Sequence, residues 1–403
     1  MNVRSDDPVW IRTHPPHFSH AQPVLGDLTC EVAIVGAGVS GALVGHHLAK
    51  KGVDVVVLDR RQPGSGSTAA CTALVQYDLD RPLTELAERY SMAHAIEAYQ
   101  TCVAALGWIA EHVRTLDDDC AMTPRPSLLV ARRRGDLKPM RAELDARAQA
   151  GIAVRWVEPA ELKSSYRVAA HGAIESEKSL ELDPYRLTVA TLNAATKLGA
   201  RIHAPAEVVR YDFDDTGVSL ALDHGPVVRA KRVVVCGGYE TPSFLRQDYG
   251  TLLSTWAVAS SPIDLDAFWP KRQLLWEWGD AYLYARSTPD NRLIFGGGDR
   301  NFKNATLRDA LIPRTTDALI RKLKRLLPGI ELVPEFKWAG TFAETEDSVA
   351  YIGVHPDFPR ASLALGYGGN GVTFSMIAAR ILTGQITGDA ELRRSEHLFR
   401  FER

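Results

Sequence analysis

The residues Glu31-Val-Ala-Ile-Val35, followed by Gly36-Ala-Gly38-Val-Ser-Gly41, carry the strongest indication of this chain's fold. Its first five residues form a short apolar run typical of a buried strand, and the glycine-rich turn leads into residues that recur at helical spacing up to Gly52. Residues 53–58 (Val-Asp-Val-Val-Val-Leu) are a second apolar run, which closes on Asp59. The pattern predicts a strand–helix–strand unit.

The spacing of the three glycines predicts a binding site for a dinucleotide. Gly36 permits the tight turn, Gly38 lets the backbone approach a pyrophosphate, and Gly41 lets helix and strand pack closely. The helix that begins there offers its free N–H groups and the positive end of its dipole to the phosphates. Asp59 lies 23 residues after Gly36, where a carboxylate binds ribose hydroxyls and disfavours the 2′-phosphate of NADP. A ligand-free glycine turn leaves these features unexplained, although the motif alone does not distinguish FAD from NAD.

Several later stretches carry a second signal. The loop Gly-Ser-Gly-Ser-Thr-Ala-Ala at 64–70 directly follows the second strand. The others are Leu182-Asp183-Pro184, Gly199-Ala-Arg-Ile with Val208, Arg232-Val-Val-Val-Cys-Gly-Gly238, Trp338-Ala-Gly340, Tyr351-Ile-Gly353 and Gly368-Gly-Asn-Gly-Val-Thr373. In this order they resemble the D-amino-acid oxidase family, which includes glycine oxidase, sarcosine oxidase and γ-glutamylputrescine oxidase. The resemblance covers residues 30–385 and is closest to γ-glutamylputrescine oxidase-like members.

The resemblance implies that the cofactor is FAD. Ser67 and Thr68 would contact its pyrophosphate or ribityl region, and Val208 its adenine. The glycine turn at 369–373 would approach the pyrimidine edge of the flavin, where a helix N-terminus stabilises negative charge. Because the chain has no Cys after Cys236, we expect the FAD to be bound non-covalently. The expected cofactor-binding residues are Gly36, Gly38, Val39, Ser40, Gly41, Asp59, Arg60, Ser67, Thr68, Val208, Gly238, Gly369, Asn370, Gly371, Val372 and Thr373.

We expect an α/β protein in which a Rossmann-type FAD-binding domain is interleaved with an antiparallel β-sheet substrate domain. Nucleotide-type elements occur at the start, middle and end of the chain, and β-rich aromatic segments lie between them. The predicted FAD-binding domain comprises 30–95, 180–245 and 340–390, and the predicted substrate domain comprises 96–179 and 246–339. Residues 1–29 are expected to be an irregular arm, interrupted by Pro15, Pro16 and Pro23, and 391–403 a tail.

The β-rich segments are expected to form the substrate pocket. Enzymes of this family move a hydride from the C–H bond beside a nitrogen to the flavin N5, and the resemblance implies that reaction here, with an imine as product. The amine must be neutral, and an aromatic lining favours the neutral form by desolvation. The candidates for this lining are Trp256, Trp276, Trp278, Tyr282, Tyr284, Phe342 and Tyr367, each of which taken singly is also explained as sheet core.

Phe342 departs from the family pattern in a way that bears on the substrate. Relatives that act on α-amino acids commonly carry an Arg two residues after the glycine of the Trp-x-Gly strand, and this Arg grips the substrate carboxylate. Phe342 stands at that position, so the sequence favours a secondary, cyclic or polyamine-like amine. Arg286, expected to be an exposed strand residue, is the candidate replacement for the missing cation.

Other functions stay open at this point. They are an α-amino-acid oxidase or dehydrogenase of the D-amino-acid or glycine type, and a hydroxy-acid dehydrogenase that would need Arg286 or Arg300 as a carboxylate clamp. An NAD-dependent dehydrogenase leaves the loops at 64–70 and 366–373 unexplained. A non-enzymatic flavoprotein that binds a protein partner has the least support.

The sequence identifies neither a catalytic acid or base nor the electron acceptor. His355 lies in a proline-rich loop typical of a surface, and His46 and His47 are expected to be solvated on the first helix. There is no Lys between Lys231 and Lys271, the stretch where some relatives hold a lysine that speeds reaction with oxygen. Both O2 and another carrier therefore stay open as acceptors.

Composition and charge argue against several classes of protein. A net charge of −2 gives no general attraction to nucleic acid or to an anionic membrane. Five Cys without a CxxC pair indicate neither a disulfide framework nor a zinc site. The sequence has no apolar stretch of membrane-spanning length, and its polar N-terminus lacks the apolar core of a signal peptide, so we expect a cytoplasmic protein.

Overall fold

The computed structural model describes residues 2–5, 8–13, 18–279 and 282–403. Its strands form two sheets. They are β1 (Leu28–Val35), β2 (Val55–Leu58), β3 (Leu74–Gln76), β4 (Thr123–Val130), β5 (Val154–Val157), β6 (Ala173–Glu181), β7 (Arg201–His203), β8 (Val208–Phe213), β9 (Val218–Leu222), β10 (Val227–Val235), β11 (Thr251–Ser260), β12 (Leu274–Glu277), β13 (Leu283–Ser287), β14 (Leu293–Arg300), β15 (Pro334–Glu344), β16 (Tyr351–His355) and β17 (Phe358–Leu365).

The helices pack against both sheets. They are α1 (Val9–Thr13), α2 (Val39–Lys50), α3 (Ser67–Ala70), α4 (Leu83–Arg89), α5 (Met92–Arg114), α6 (Leu137–Gln149), α7 (Pro159–Glu161), α8 (Pro184–Lys197), α9 (Leu265–Phe268), α10 (Ala305–Ala310), α11 (Ile312–Leu326) and α12 (Gly371–Thr387). Short 3₁₀ segments cover Arg134–Asp136, Ala390–Arg393 and Glu396–Phe399, and Leu162–Tyr166 is a π-helical turn. No helix within the described residues is both long and apolar enough to cross a bilayer.

The first sheet contains the predicted strand–helix–strand unit, β1–α2–β2, at its centre. Its order is β16-β17-β10-β1-β2-β7, and the five strands from β17 to β7 are parallel. Strand β2 is buried along its whole length, as its continuous run of apolar residues predicts. The pairing places Val35 beside both Val235 and Leu58. The loops that follow β1, β2 and β10 therefore leave the sheet at the same edge.

Two glycines allow the close packing at this edge. Gly36 has a φ of +108°, and a Cβ there would lie 2.3 Å from the carbonyl oxygen of Cys236. A Cβ on Gly41 would lie 1.8 Å from the carbonyl oxygen of Gly36. Helix α2 thus sits directly against the turn after β1, with α8 and α12 packed beside it. This geometry agrees with the roles predicted for the two glycines: Gly36 permits the tight turn, and Gly41 permits the close packing of helix and strand.

The second sheet is mostly antiparallel, in the order β15-β11-β14-β13-β12-β4-β6-β3, with β5 also paired to β6. Only the pair β12–β4 is parallel in the described part of this sheet. The predicted hairpin around 289–291 joins β13 to β14, and Ala281, at the start of its expected first strand, lies outside the described residues. Helix α11 covers one face with buried Leu319 and Leu323. The predicted α/β class with an antiparallel second sheet is confirmed.

The N-terminal segment is more ordered than the sequence suggests. Residues 9–13 form helix α1, where the sequence predicted irregular backbone, because the prolines at 15, 16 and 23 all follow it. Pro15 and Pro16 lie outside the described residues. Trp10 is buried, and its Nε1 donates to the Cys71 carbonyl at 2.7 Å. Residues 3–5 pair with the edge of β15.

Each sheet draws its strands from separate stretches of the chain. Strand β3 comes from the range predicted for FAD binding and pairs with β6 of the second sheet. Strand β15 begins in the range predicted for the substrate domain and ends beyond it. The exact domain boundaries given above stay a proposal.

Candidate active site

A cavity of about 1050 Å³ is lined by residues from both sheets. Its size is at the upper end of the range for small-molecule and cofactor sites. We call its two parts the nucleotide end, lined by the loops that follow β1, β2 and β10, and the aromatic end, lined by β11, β12, β13 and β15. The cavity extends from the loops of the first sheet to the strands of the second sheet, so a single ligand can contact both.

The nucleotide end has the geometry of a pyrophosphate cradle. Gly38 stands at the N-terminus of α2, and a Cβ on it would lie 3.0 Å from Thr68 Oγ1. The hydroxyl of Thr68 accepts a hydrogen bond from the Val39 N–H at 3.0 Å. Ser67 lies beside Thr68 at the start of α3. The first-turn N–H groups of a helix have no intrahelical partners, so this end of α2 can receive an anion.

Asp59 occupies the position expected for a ribose ligand. Its carboxylate accepts hydrogen bonds from the N–H groups of Ala37 (2.7 Å) and Arg61 (2.8 Å). Burial raises the pKa of Asp59, and these two N–H groups oppose the rise. The carboxylate is thus fixed in place at the cavity wall, where its other lone pairs remain for hydroxyl donors.

Two charged residues at this end were not predicted. The guanidinium of Arg60 forms ion pairs with Glu240 at 2.5 Å and Glu207 at 3.4 Å, and all three side chains line the cavity. Glu207 and Glu240 come from loops of the first sheet, far from Arg60 in the chain. The order β10-β1-β2-β7 in the sheet brings the loops that follow β10, β2 and β7 to the same edge, so local sequence gave no signal for this contact. Val208 lines the wall beside Glu207.

The glycine loop between β17 and α12 forms the wall between the two ends. Gly366 and Gly368 have φ values of +70° and +53°, which favour glycine. The loop is fixed by the Gly368 N–H, which donates to the Ala343 carbonyl at 2.9 Å, and by the Thr373 hydroxyl, which donates to the Gln76 carbonyl at 2.9 Å. Helix α12 begins at Gly371, so its positive end faces the cavity.

The structure brings nearly all of the predicted cofactor-binding residues to this one cavity. Gly41 is the exception and packs α2 against the turn at Gly36. The predicted residues that line the cavity are Gly36, Gly38, Val39, Ser40, Asp59, Arg60, Ser67, Thr68, Val208, Gly238, Gly369, Asn370, Gly371, Val372 and Thr373.

The aromatic end contains most of the aromatic residues singled out in the sequence. Those that line it are Trp276, Tyr282, Tyr284, Phe342 and Tyr367. Trp256 is instead buried in the core, where its Nε1 donates to the Arg308 carbonyl at 3.0 Å. Trp278 packs with a separate apolar cluster. Burial raises the pKa of Tyr282, Tyr284 and Tyr367, so these hydroxyls stay neutral.

Arg286 is neither exposed nor part of the cavity wall, contrary to the sequence-based expectation. Its side chain is fully buried and donates to the carbonyl oxygens of Ser287, Thr72, Ala73 and Leu182 at 2.7–3.3 Å. The physical reason is that β13 is an inner strand of the second sheet rather than an edge hairpin. The guanidinium holds the loop after α3 against the sheet, outside the cavity wall.

Three residues at the aromatic end escaped the sequence analysis. The Asp80 carboxylate accepts a hydrogen bond from the Gly369 N–H at 2.8 Å. Tyr239 packs edge-on against Phe342, with ring centroids 6.5 Å apart. Lys303 is exposed at the cavity edge. Tyr239 could have been found, because it directly follows the predicted Gly238; Asp80 and Lys303 lie in loops without a motif.

The histidines differ from their expected surface positions. His355 ends β16 and is buried, with its Nε2 2.8 Å from the Tyr249 hydroxyl. His46 is also buried, and its ring centroid lies 4.8 Å from that of His112. Neither His355 nor His46 lines the cavity. Within the described residues there is no group of three or more His, Cys, Asp and Glu arranged to hold a metal ion.

Comparison with known proteins agrees with this geometry. The sequence profile of a family described as "DAO: FAD dependent oxidoreductase" matches residues 31–385. The chain is 24% identical to gamma-glutamylputrescine oxidoreductase of Escherichia coli over 90% of this chain and 85% of that protein. It is 25% identical to glycine oxidase of Geobacillus kaustophilus over 90% of this chain and 93% of that protein.

Solved structures share the fold over almost the whole chain. The crystal structure of glycine oxidase from Geobacillus kaustophilus matches with a TM-score of 0.73 and 20% identity, over 90% of this chain and 95% of that one. The structure of L-proline dehydrogenase from P. horikoshii matches with a TM-score of 0.75 and 18% identity, over 93% and 98%. At these identities the likeness concerns the fold.

Proposed function

The chain belongs to the DAO family of FAD-dependent oxidoreductases, whose profile covers residues 31–385, and we propose that it oxidises an amine with no carboxylate beside the reacting carbon. Two relatives are named gamma-glutamylputrescine oxidoreductase and glycine oxidase, which supports oxidation of an amine or an amino acid as the general activity. The finer assignment proposed here is a secondary, cyclic or polyamine-like amine, converted to an imine.

The residues present fit FAD. The cradle of Gly36 and Gly38 leaves no room for a Cβ on Gly36, and the N-termini of α2 and α12 both open on the cavity. The Gln76 Oε1 is a buried acceptor at the wall without a protein partner among the described residues. Asp59 would bind the ribose, Thr68 the pyrophosphate side, and α12 the flavin end. When bound, FAD supplies the acceptor for a hydride from carbon.

The observation that carries the amine assignment is the absence of a guanidinium from the aromatic end. Within the described residues, the arginines that line the cavity are Arg60 and Arg61, both at the nucleotide end. Phe342 stands where a clamp would be expected, and Arg286, whose Nε and Nη1 donate to main-chain carbonyls, lies outside the cavity wall. Arg300 is exposed and lies outside the wall, 5.6 Å from the Trp256 ring centroid. A carboxylate buried there would lack its bidentate partner.

The aromatic end has the properties that oxidation of an amine requires. Tyr284, Phe342 and Trp276 present ring surface that desolvates an ammonium group and so favours release of its proton. The positive end of α12 faces the cavity from the glycine loop, where it stabilises developing negative charge. These residues bind, orient and desolvate; no acid or base is needed for a neutral amine.

An α-amino acid is the second candidate substrate. Lys303 at the cavity edge is a cation that could meet a carboxylate, and two relatives are named glycine oxidase. Lys303 is exposed, so such a contact would be screened by solvent and weaker than a buried arginine clamp. A hydroxy acid would need the same carboxylate contact.

Anaerobic titration of the purified holoenzyme tests the proposal. The visible absorbance of the oxidised flavin is followed while amines, α-amino acids and hydroxy acids are added in turn. We expect bleaching by amines and not by the carboxylated compounds. Reduction by glycine or a D-amino acid alone would assign the second function instead. Re-oxidation of the bleached enzyme with O2, against re-oxidation with an artificial acceptor dye, then distinguishes an oxidase from a dehydrogenase.

A further inference from the structure

Asp80 is a carboxylate inside the cavity that has no cation beside it. It follows β3 and lines the aromatic end, where its Oδ2 accepts the Gly369 N–H at 2.8 Å. Within the described part of the chain it forms no ion pair. The next residue, Arg81, points elsewhere and binds the Glu85 carboxylate and the Glu346 carbonyl. A carboxylate in such a place is costly unless a ligand supplies the positive charge.

The surroundings of Asp80 add negative rather than positive charge. Burial raises the pKa of Asp80 to about 6; the Gly369 N–H opposes this rise, and the charges of Glu344 and Asp299 add to it. Asp299 lies behind the wall and interacts with the side chains of Thr255 and Tyr282, both of which line the cavity. Three carboxyl groups, those of Asp80, Glu344 and Asp299, thus lie on this side of the aromatic end, while Lys303 is exposed at the cavity edge, and this arrangement favours a cationic ligand.

The walls near Asp80 suit an ammonium group as well. The charge of the Asp80 carboxylate raises the pKa of Tyr239 and of Tyr282, which places both hydroxyls near it. Tyr239 also packs edge-on against Phe342. Aromatic ring faces attract a cation within about 6 Å. The Tyr282 hydroxyl donates its proton to the Asp299 carboxylate. Its oxygen can therefore only accept a further hydrogen bond, which suits the N–H group of an ammonium and not a carboxylate.

We propose that Asp80 binds a second, permanently protonated nitrogen of the substrate, which makes the substrate a diamine or polyamine. This inference rests on the proposed function. The nitrogen that reacts must be neutral, and a carboxylate next to it would hold it protonated. Asp80 therefore serves a nitrogen that keeps its charge. Bound FAD would accept the hydride from the C–H bond beside the first nitrogen, the lone pair of that nitrogen would form the C=N bond of an iminium ion, and the iminium would lose its N–H proton to water to give the imine. The second ammonium is unchanged.

Matched pairs of amines test the proposal on the holoenzyme. The terminal diamines from diaminopropane to diaminohexane are each compared with the mono-N-acetylated diamine and with the alkylamine of equal length. The measured quantity is the half-saturating concentration for anaerobic flavin reduction. We expect the half-saturating concentration of at least one diamine to be about tenfold lower than those of its acetylated counterpart and of the alkylamine. This factor is the size expected for one charge-assisted hydrogen bond.

The variant Asp80→Asn isolates the charge. Asn keeps an oxygen for the Gly369 N–H, so the loop contact survives while the negative charge is lost. We expect the ratio of the half-saturating concentrations of alkylamine and diamine, measured within the same variant, to fall from about tenfold to within about twofold. Asp248→Asn is the matched control, because Asp248 lines the same cavity but is exposed at its rim. FAD content and visible spectrum verify that each variant is folded.

The outcomes separate the two proposals. If amines bleach the flavin but no diamine saturates below its acetylated counterpart, the diamine assignment is overturned and the amine proposal stands. If the preference is present and Asp80→Asn leaves it intact, Asp80 is not the binding group and the inference is also overturned. If no amine bleaches the flavin, the proposed function itself fails. The wild-type comparison holds even if Asp80→Asn fails to bind FAD.

Discussion

The Asp80 carboxylate accepts a hydrogen bond from the Gly369 N–H at 2.8 Å, although 289 residues separate the two in the chain. A second contact, from the Thr373 hydroxyl to the Gln76 carbonyl, joins the same two segments. The segment after β3 is thereby tied to the start of α12, at the boundary of the two ends of the cavity. A substrate charge and the flavin end of the site share one small region.

Gly36→Ala should abolish FAD binding. Its φ of +108° is strained for any other residue, and the new Cβ would lie 2.3 Å from the Cys236 carbonyl oxygen, where neither backbone segment can give way. The ratio of flavin to protein absorbance after purification measures the effect. Gly107→Ala, on the exposed face of α5 with no atom within 4 Å, is the control and should keep full FAD content. A yellow Gly36→Ala protein would contradict the assigned cradle.

Phe342→Arg should shift the preference toward α-amino acids. The new guanidinium would lie in the aromatic end, where it repels an ammonium and offers a bidentate partner to a carboxylate. We expect kcat/KM for amines to fall by about tenfold or more and α-amino acids to gain relative to them. Phe342→Leu, which removes the ring without adding charge, is the comparison. An unchanged ratio in Phe342→Arg would mean that Phe342 does not face the substrate.

Arg286→Met should lower stability without changing substrate preference. The substitution removes four hydrogen bonds to buried carbonyl oxygens, and each unsatisfied carbonyl costs about 1–3 kcal/mol. Thermal unfolding measures the loss, and Arg300→Met, at an exposed site, should leave the Tm within a degree or two. If Arg286→Met instead weakened the binding of carboxylated compounds alone, Arg286 would be a substrate clamp after all.

Three neighbouring histidines should make the fold sensitive to acid. Burial lowers the pKa of His46 and His47 to about 4 and that of His112 to about 3, below the unfolded value of 6.5. Because the folded pKa values are depressed, the stabilising contribution is complete above pH 6.5 and is lost as the pH falls toward 4. Between pH 6.5 and 4, each histidine lowers the free energy of unfolding by at most about 1.4 kcal/mol for each pH unit of acidification.

Urea unfolding at pH 7 and pH 5 checks this prediction. His46→Leu should flatten the dependence on pH, since its buried Nδ1 has no hydrogen-bond partner to lose among the described residues. His171→Leu, at an exposed position, should leave the dependence as it is in the wild type. Equal pH slopes in the wild type and His46→Leu would show that these rings are not held neutral.

The nucleotide end was predictable because its signals are local. Gly36, Gly38 and Thr68 lie within one strand–helix–strand unit and the loop that follows it, so their spacing along the chain reflects their arrangement in space. The glycine loop before α12 was predictable for the same reason. Gly41 was predicted both to pack helix against strand and to bind the cofactor, and the structure shows the packing contact without placing Gly41 at the cavity wall.

The aromatic end was only partly predictable because it depends on long-range pairing. Asp80 reaches the cavity through its contact with Gly369, which no local pattern encodes. Arg286 was misread because an alternating hairpin resembles an edge strand, whereas β13 has β12 and β14 on its two sides. His355 was misread because its prolines suggested a loop, while the register of β16 and β17 buries it.

The absence of a guanidinium from the aromatic end, among the residues that the structure describes, is tested by comparing an α-amino acid with the alkylamine that differs from it only by lacking the carboxylate. Both enantiomers of the amino acid are mixed anaerobically with the holoenzyme, and the rate of flavin bleaching is recorded for each compound. The missing carboxylate clamp predicts reduction by the amine and rates at least tenfold lower for both amino acids, since one missing bidentate contact is worth about that factor or more. Faster reduction by either amino acid than by the amine would contradict it.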